Sequence, residues 1–492
     1  MRNEIINLQP AGWETDPDDE FFKLSTLDHC VPPLFNPNIL IFKLSDDDKP
    51  KAAQVLKRGL EVMLSQCRQL CGTLKEHPGG GLCFHKKKDS IVEFHIQWLD
   101  SMEDEDKYPS FDELEDRHLV SQALGDINTW CVAPMTAGEK PEASPTSHPK
   151  ASAFKANFIR GGLVFVMHHH HYANDIMGWA GALHQLAENC AAIWKCPDKP
   201  DLPPWNAACL DNSIATAPDP PEEQRVDGPV PPLRHPDHKP GQLLLLFHLP
   251  KSKAAELKKL ASPADRSYWI STYDAFMALI WRTLTKHRAK VFDPDPKQPL
   301  IWAEAVEMRR RLRDPPVPPR IQGNIVTLAL SMQLPIPPLT VEEVISTAPL
   351  SKLAWYIRQL TLSVTPSALQ TTLRTVIAPV RDKTTLNVRI DAFPPLSNVT
   401  TDWRDARPCD ADFGFGRPCA FRFPFDRVTA GMTVVLPPRG HRGGGGYDDG
   451  DDDDEGWEVL VAVEREVVGA LLEDEEWGRW WEFRGVDLEE RV

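Results

Sequence analysis

Twelve prolines fall in the 44 residues from Pro197 to Pro240, out of 46 in the whole chain of 492. Proline lacks a backbone N–H and fixes φ, so this stretch supports neither a helix nor a central strand. It must run extended, as a connector. That divides the sequence into residues 1–215, a crossover at 216–240, and residues 241–492. Each half, at roughly 200 to 250 residues, is long enough to bury its own core.

Periodicity fills in both halves. Val55, Leu56, Leu60, Met63, Leu64 and Cys67 recur at three- and four-residue steps, which predicts a helix over about 51–75. The branched apolar run Gly162–Met167, opened by Gly161 and Gly162, predicts a buried strand, and a helix follows over about 178–194. In the second half Leu243–Leu249 reads as a strand. Ser271–His287 reads as a helix, with Ser271 or Thr272 at its start and Asp274 in its first turn. Strands and helices alternate in both halves, so the expected class is α/β.

Charge excludes several functions. Residues 448–492 hold 18 Asp/Glu against 4 Lys/Arg, which is −14 of the formal −16. The rest of the chain is close to neutral, and no basic stripe suggests a nucleic-acid partner. Apolar runs such as Leu243–Phe247 are far short of a membrane span, so no membrane partner is expected. The N-terminus has no apolar signal core, which points to a cytoplasmic protein. The ten cysteines form no C-x-x-C pair, so neither a disulfide framework nor a metal site is expected. Gly443–Gly446 and the carboxylates that follow predict a flexible acidic loop over 441–456. Trp457–Glu464 and the stretch Leu471–Trp481 read as a closing strand and helix.

The chemistry concentrates where the buried strand runs into four histidines, His168 to His171, followed by Asp175 and then a helix. On a strand, alternate side chains share a face, so four adjacent imidazoles cannot converge on one metal. Two readings stay open on this motif alone. The histidines are core residues satisfied by the backbone, or one of them is a general base, neutral and proton-accepting at cellular pH.

Further segments match a known pattern. The motif His171-Tyr172-Ala173-Asn174-Asp175, preceded by His170, has the form His-x-x-x-Asp. Near the C-terminus stands Asp412-Phe413-Gly414-Phe415-Gly416. Between them lie the segment Ser271–Arg282, Val306–Leu312 with its arginines, the pair Gly323-Asn324, and Thr401-Asp402-Trp403. This ordered set resembles the BAHD-type CoA-dependent acyltransferases. The spacing from Asp175 to Gly178 and the run Asn157–Leu163 resemble fungal trichothecene 3-O-acetyltransferase-like enzymes most closely.

The resemblance implies two similar chloramphenicol-acetyltransferase-like domains with mixed sheets and an active site in a channel at their interface. It implies His171 as general base for direct attack of an acceptor hydroxyl on acyl-CoA, within a ternary complex. Asp175 would orient the loop through Arg309. Thr401 and Trp403 would line the pocket, and Asp412, Gly414 and Gly416 would shape the fold. Lys258 and Lys259 would meet the phosphates of CoA. No permanently bound cofactor is implied. Acyl-CoA, with acetyl-CoA favoured, is a co-substrate, and the acceptor is a hydroxylated fungal metabolite. The family is usually monomeric. The alternatives are an N-acyltransferase of the same fold or a catalytically silent relative acting as a binding protein. Phe415 stands where the family usually has Trp.

Overall fold

The computed structural model describes residues 2–265, 267–333, 337–440 and 454–490. Two mixed sheets organise it. The first has six strands, in the order Arg2–Leu8, Val92–Trp98, Ser152–Ile159, Gly162–His170, Phe35–Lys43 and Ala420–Arg422. The second has seven: Val326–Leu330, Trp302–Glu307, Asn398–Asp402, Met432–Val435, Trp457–Glu464, Gln242–Leu249 and Glu482–Glu489. A small antiparallel sheet, Asp19–Lys23, Leu82–Lys87 and Thr73–Glu76, flanks the first. The α/β class with two mixed sheets is as expected from the sequence.

The central strands Ser152–Ile159, Gly162–His170 and Gln242–Leu249 are buried along their whole length. This explains their continuous apolar runs. Helices Lys49–Gln66 and Ile176–Lys195 pack together beside the first sheet. Gly59 makes the close approach possible, since a Cβ there would stand 2.3 Å from Cys190 Sγ. In the second half, helix Thr272–Phe292 begins at Ser271. The Ser271 hydroxyl accepts from the Asp274 N–H while the Asp274 carboxylate accepts from the Ser271 N–H, a complete capping box. Buried Arg288 anchors that helix to Glu464 at 2.9 Å.

One strand from the second half of the sequence joins the first sheet. Ala420–Arg422 belongs to the second half by sequence but pairs with Ile39–Ile41 in the first sheet. Phe413 and Phe421 also lie in the first core. Residues 216–240 run without a strand or α-helix, with one short helical turn at Glu222–Gln224. This crossover lies along both halves, with Thr26 against Ala217 and Val226 paired to Val380.

Three local readings also change. The helix predicted to 75 ends at Gln66. Cys67 leaves helical geometry, and Thr73–Glu76 turns into a strand paired with Leu82–Lys87. The closing helix is two short ones, Arg465–Leu472 and Glu475–Trp480, the second capped by Asp474, and a last strand Glu482–Glu489 follows. Of the expected acidic loop at 441–456, residues 441–453 lie outside the described residues. Its end is pinned: Asp454 accepts from the Ser252 N–H at 2.7 Å, and Glu455 pairs with Arg484 at 2.7 Å.

Candidate active site

Strand Gly162–His170 sits between two neighbours, so its last three side chains are buried. His168 accepts from the Val132 N–H at 3.1 Å through Nε2 and donates through Nδ1 to the Met135 carbonyl at 2.9 Å. His170 donates to the Ala143 carbonyl at 2.9 Å and accepts from the Tyr172 N–H at 3.1 Å. His169 lies between the Asn38 amide at 3.3 Å and the Asn174 carbonyl at 3.1 Å. Burial pushes His168 and His169 down to about 3 and His170 to about 4. These three are neutral core histidines, satisfied mainly by backbone groups.

His171 differs because the strand has ended. It is only partly buried. Its backbone is fixed from both halves: its N–H donates to the Leu34 carbonyl at 2.8 Å, and its carbonyl accepts from Asn324 Nδ2 at 2.9 Å. Its Nδ1 is enclosed without a well-formed hydrogen bond. Burial lowers its pKa below the ordinary 6.5, opposed by the carbonyls of His171 itself and Asn174 and by the Asp175 charge. The imidazole is therefore neutral at pH 7 and able to take a proton.

Asp175 points into the protein. As N-cap of helix Ile176–Lys195 it accepts from the Gly178 N–H at 2.8 Å through Oδ1. Its Oδ2 accepts from Arg309 Nη1 at 2.9 Å and from the Ile325 N–H at 2.8 Å. Burial alone would raise its pKa. The Arg309 charge and these donors outweigh it and hold the carboxyl below its usual range. Arg309 Nη2 also donates to the Gly323 carbonyl at 2.8 Å. The segment Gln322–Asn324 completes the seam. The Asn174 side chain accepts from the Gly323 N–H at 2.7 Å and donates to Gln322 Oε1 at 3.0 Å. The first half thus presents His171 on a turn clamped by the second half.

The other expected residues belong to other elements. Thr401 is on the central strand Asn398–Asp402, and its hydroxyl accepts from Trp403 Nε1 at 3.0 Å. The Trp403 ring packs against Phe421, Phe423 and Phe425. Asp412, Gly414 and Gly416 form a loop in which Asp412 accepts from the Gly414 N–H at 2.8 Å and Phe413 N–H donates to Gly416. That loop rests on Trp194, at the far end of the helix that Asp175 opens. At 1.5 Å per residue it lies about 27 Å from the helix start. Lys258 is half-buried on helix Lys251–Ala261, and Lys259 is exposed beside it.

Residues 157–476 match the Transferase family, and residues 34–190 match the trichothecene 3-O-acetyltransferase-like N-terminal domain. This chain belongs to the Transferase family. Acetyltransferase FGR3 of Gibberella zeae is 51% identical over 99% of this chain and 95% of its own length. Eremophilane O-acetyltransferase ORF8 of Penicillium roqueforti is 23% identical over 85% and 92%. The fold is that of the crystal structure of F. graminearum TRI101 complexed with ethyl coenzyme A. That match has a TM-score of 0.72 at 17% identity, covering 95% of this chain and 100% of that one. Vinorine synthase matches with a TM-score of 0.62 at 17% identity, over 95% and 96%. The expected acyltransferase class stands.

In this transferase several residues at the seam have no signature in local sequence. Asp28, buried, accepts from the N–H and side chain of Asn324 at 2.8 Å each, across 296 residues. Its neighbour His29 packs its ring 6.2 Å from Tyr172 and lines a cavity of about 260 Å³. Lys23, Ala217, Asp219 and Lys383 share that cavity, so both halves and the crossover contribute to it. No spacing rule marks these positions. The pair Gly323-Asn324 in the family pattern was the only sequence signal.

Proposed function

We propose that the enzyme transfers an acetyl group from acetyl-CoA to a hydroxyl of a fungal secondary metabolite, with His171 as general base. The observation that carries this reading is the contrast among the four histidines. All four are neutral, but three are committed to the core, and His171 alone is partly exposed, on a turn held at the seam. The proton of the acceptor hydroxyl goes to His171 Nε2 as the oxygen attacks the thioester carbonyl. The tetrahedral intermediate collapses, the C–S bond breaks, and the proton passes from His171 to the CoA sulfur. Direct transfer in a ternary complex needs no enzyme nucleophile. The thiols among the described residues are mostly buried, and burial pushes Cys67, Cys71 and Cys190 up, which suits core packing.

Thr401, already accepting from Trp403, still has its own hydroxyl proton to donate to the developing oxyanion. The cavity lined by His29 is the acceptor's entrance in this reading. The relatives' names, with acetyltransferase at 51% identity and eremophilane O-acetyltransferase at 23%, support the acetyl group and a terpenoid alcohol.

The test is thiol release from acetyl-CoA with a panel of hydroxylated sesquiterpenoids, eremophilanes included. Acceptor-dependent release, with the product ester seen by mass spectrometry, is expected. An amide product from an amine acceptor would replace the hydroxyl reading. No release with any acyl-CoA, and no CoA binding, would leave a silent relative.

A further inference from the structure

The crossover carries one apolar stretch that neither half covers, Gly228-Pro229-Val230-Pro231-Pro232-Leu233-Arg234. Proline fixes φ at about −65°, and a residue before proline is driven to the extended region. Pro229, Pro231 and Pro232 together set a polyproline II path. No helix or strand includes these residues. Residues 229–233 are all exposed, Val230 at 90% and Leu233 at 85%. Among the described residues, none hydrogen-bonds to the backbone of 229–233. The two ends, by contrast, are fixed. The Val226 N–H donates to the Pro379 carbonyl at 2.9 Å, and the Arg381 N–H donates to the Val226 carbonyl at 3.0 Å. Gly228 lies so close to Thr385 that a Cβ there would stand 1.8 Å from its hydroxyl oxygen. Beyond the stretch, the His235 N–H donates to the Asp391 carbonyl at 2.8 Å and the His238 ring to the Phe393 carbonyl at 2.9 Å. Both anchors use the segment 379–393, and the run between them is displayed with its shape set.

A polyproline II helix has three residues per turn and rises about 3.1 Å per residue. Pro229 and Pro232 therefore share one edge, about 9 Å apart, with Val230 and Leu233 on the next edge and Pro231 and Arg234 on the third. Arg234 ends the run with a cation. Among the described residues it meets a carbonyl, that of Lys239 at 3.1 Å through Nη2, and no carboxylate. Nearby Asp391 is taken by Arg389 at 2.9 Å. We propose that residues 229–234 are a docking ligand for an SH3-type domain, whose aromatic groove takes the Pro-x-x-Pro ridge and whose rim offers a carboxylate to Arg234. Such grooves favour a polyproline II ligand because its shape is set before docking and little chain entropy is lost. The single charge at one end gives the ligand a direction. A plain connector needs no apolar ridge in water, since polar residues span the same distance. None of these residues belongs to the site around His171, so the proposal stands apart from the acetyl-transfer reading.

The test is an array of purified fungal SH3 domains, with WW domains beside them, probed with the labelled full-length chain. Hits are then titrated by calorimetry. One or more SH3 domains should bind, and the binding should weaken as salt rises. Changing Pro229→Ala and Pro232→Ala together should weaken it about 10-fold or more. Arg234→Gln should weaken it by a similar factor and remove most of the salt dependence. Pro236→Ala, exposed but outside the pattern, should bind as the wild type does. The proline and arginine variants are independent, so if one fails to fold the other carries the test. No binding to any SH3 domain would overturn the proposal, as would SH3 binding that stays within twofold of wild type in a folded variant. Binding to WW domains alone would overturn the SH3 assignment.

Discussion

The two hallmark loops sit at opposite ends of one helix, Ile176–Lys195, and they are built differently. The loop at the start, His171–Asp175, is polar. It is laced to the other half through Arg309, Gly323, Asn324 and Ile325. The loop at the far end, Asp412–Gly416, is held chiefly by aromatic contacts. Phe413 packs at 5.2 Å on Phe42, and Phe415 lies 6.0 Å from Trp194. Hydrogen bonds are directional and fix a side chain within a narrow range, which a base requires. Aromatic packing fixes a loop without aiming a polar group. In the proposed mechanism the first loop supports the chemistry and the second supports the fold.

Substitutions can break that comparison. The largest effect belongs to His171→Ala. With one of four histidines changed, turnover should fall about 10²- to 10⁴-fold while thermal unfolding barely moves. Because the His171 pKa is lowered, its neutral form persists below pH 6.5. The acid limb of kcat/KM should therefore fall below the usual histidine value. A profile breaking at or above pH 6.5 would remove His171 as the base.

Next comes Arg309→Met, which leaves the Asp175 carboxylate buried with two backbone donors. Breaking such a pair costs about 3–5 kcal/mol, so soluble yield and melting temperature should drop sharply. Asp175 has a lowered pKa in the fold. The stability it contributes is present above its unfolded value and lost as pH falls through the folded one. Asp175→Asn should flatten the acid side of the stability curve, read by denaturant melts at several pH values.

Much of this was legible locally. Proline density marked the crossover, continuous apolar runs marked the buried strands, and Ser271 with Asp274 marked a helix start that the structure reproduces as a capping box. What stayed hidden depends on distant partners. Ala420–Arg422 is three residues long and has no pattern of its own. Only its register with Ile39–Ile41 makes it a strand. Asp28 reads as an ordinary loop acid until Asn324 is beside it. Composition predicts a flexible loop through 456, yet Asp454 and Glu455 are tied to Ser252 and Arg484. Periodicity and caps are local in sequence, and the seam between the halves is neither.

The far loop supplies the smaller effects. Gly414 has φ +84°, and a Cβ there would stand 2.6 Å from Trp194 Cβ. Gly414→Ala should cost roughly 2–4 kcal/mol from backbone strain and overpacking together. Turnover per folded molecule should stay normal, measured against active-site concentration. Phe415→Trp restores the residue usual in this family and should do least. Phe415 is only partly buried, with Phe42 at 5.6 Å and Trp194 at 6.0 Å, so a larger ring can lean outward. A change under about 1 kcal/mol in stability is expected. The added indole N–H would lie about 27 Å along the helix from the start that carries His171. It is too far to donate to an oxyanion there, so kcat should not move. A tenfold rise in kcat with Phe415→Trp would mean that this loop reaches the reacting atoms, and the division between a chemical end and a structural end of the helix would fail.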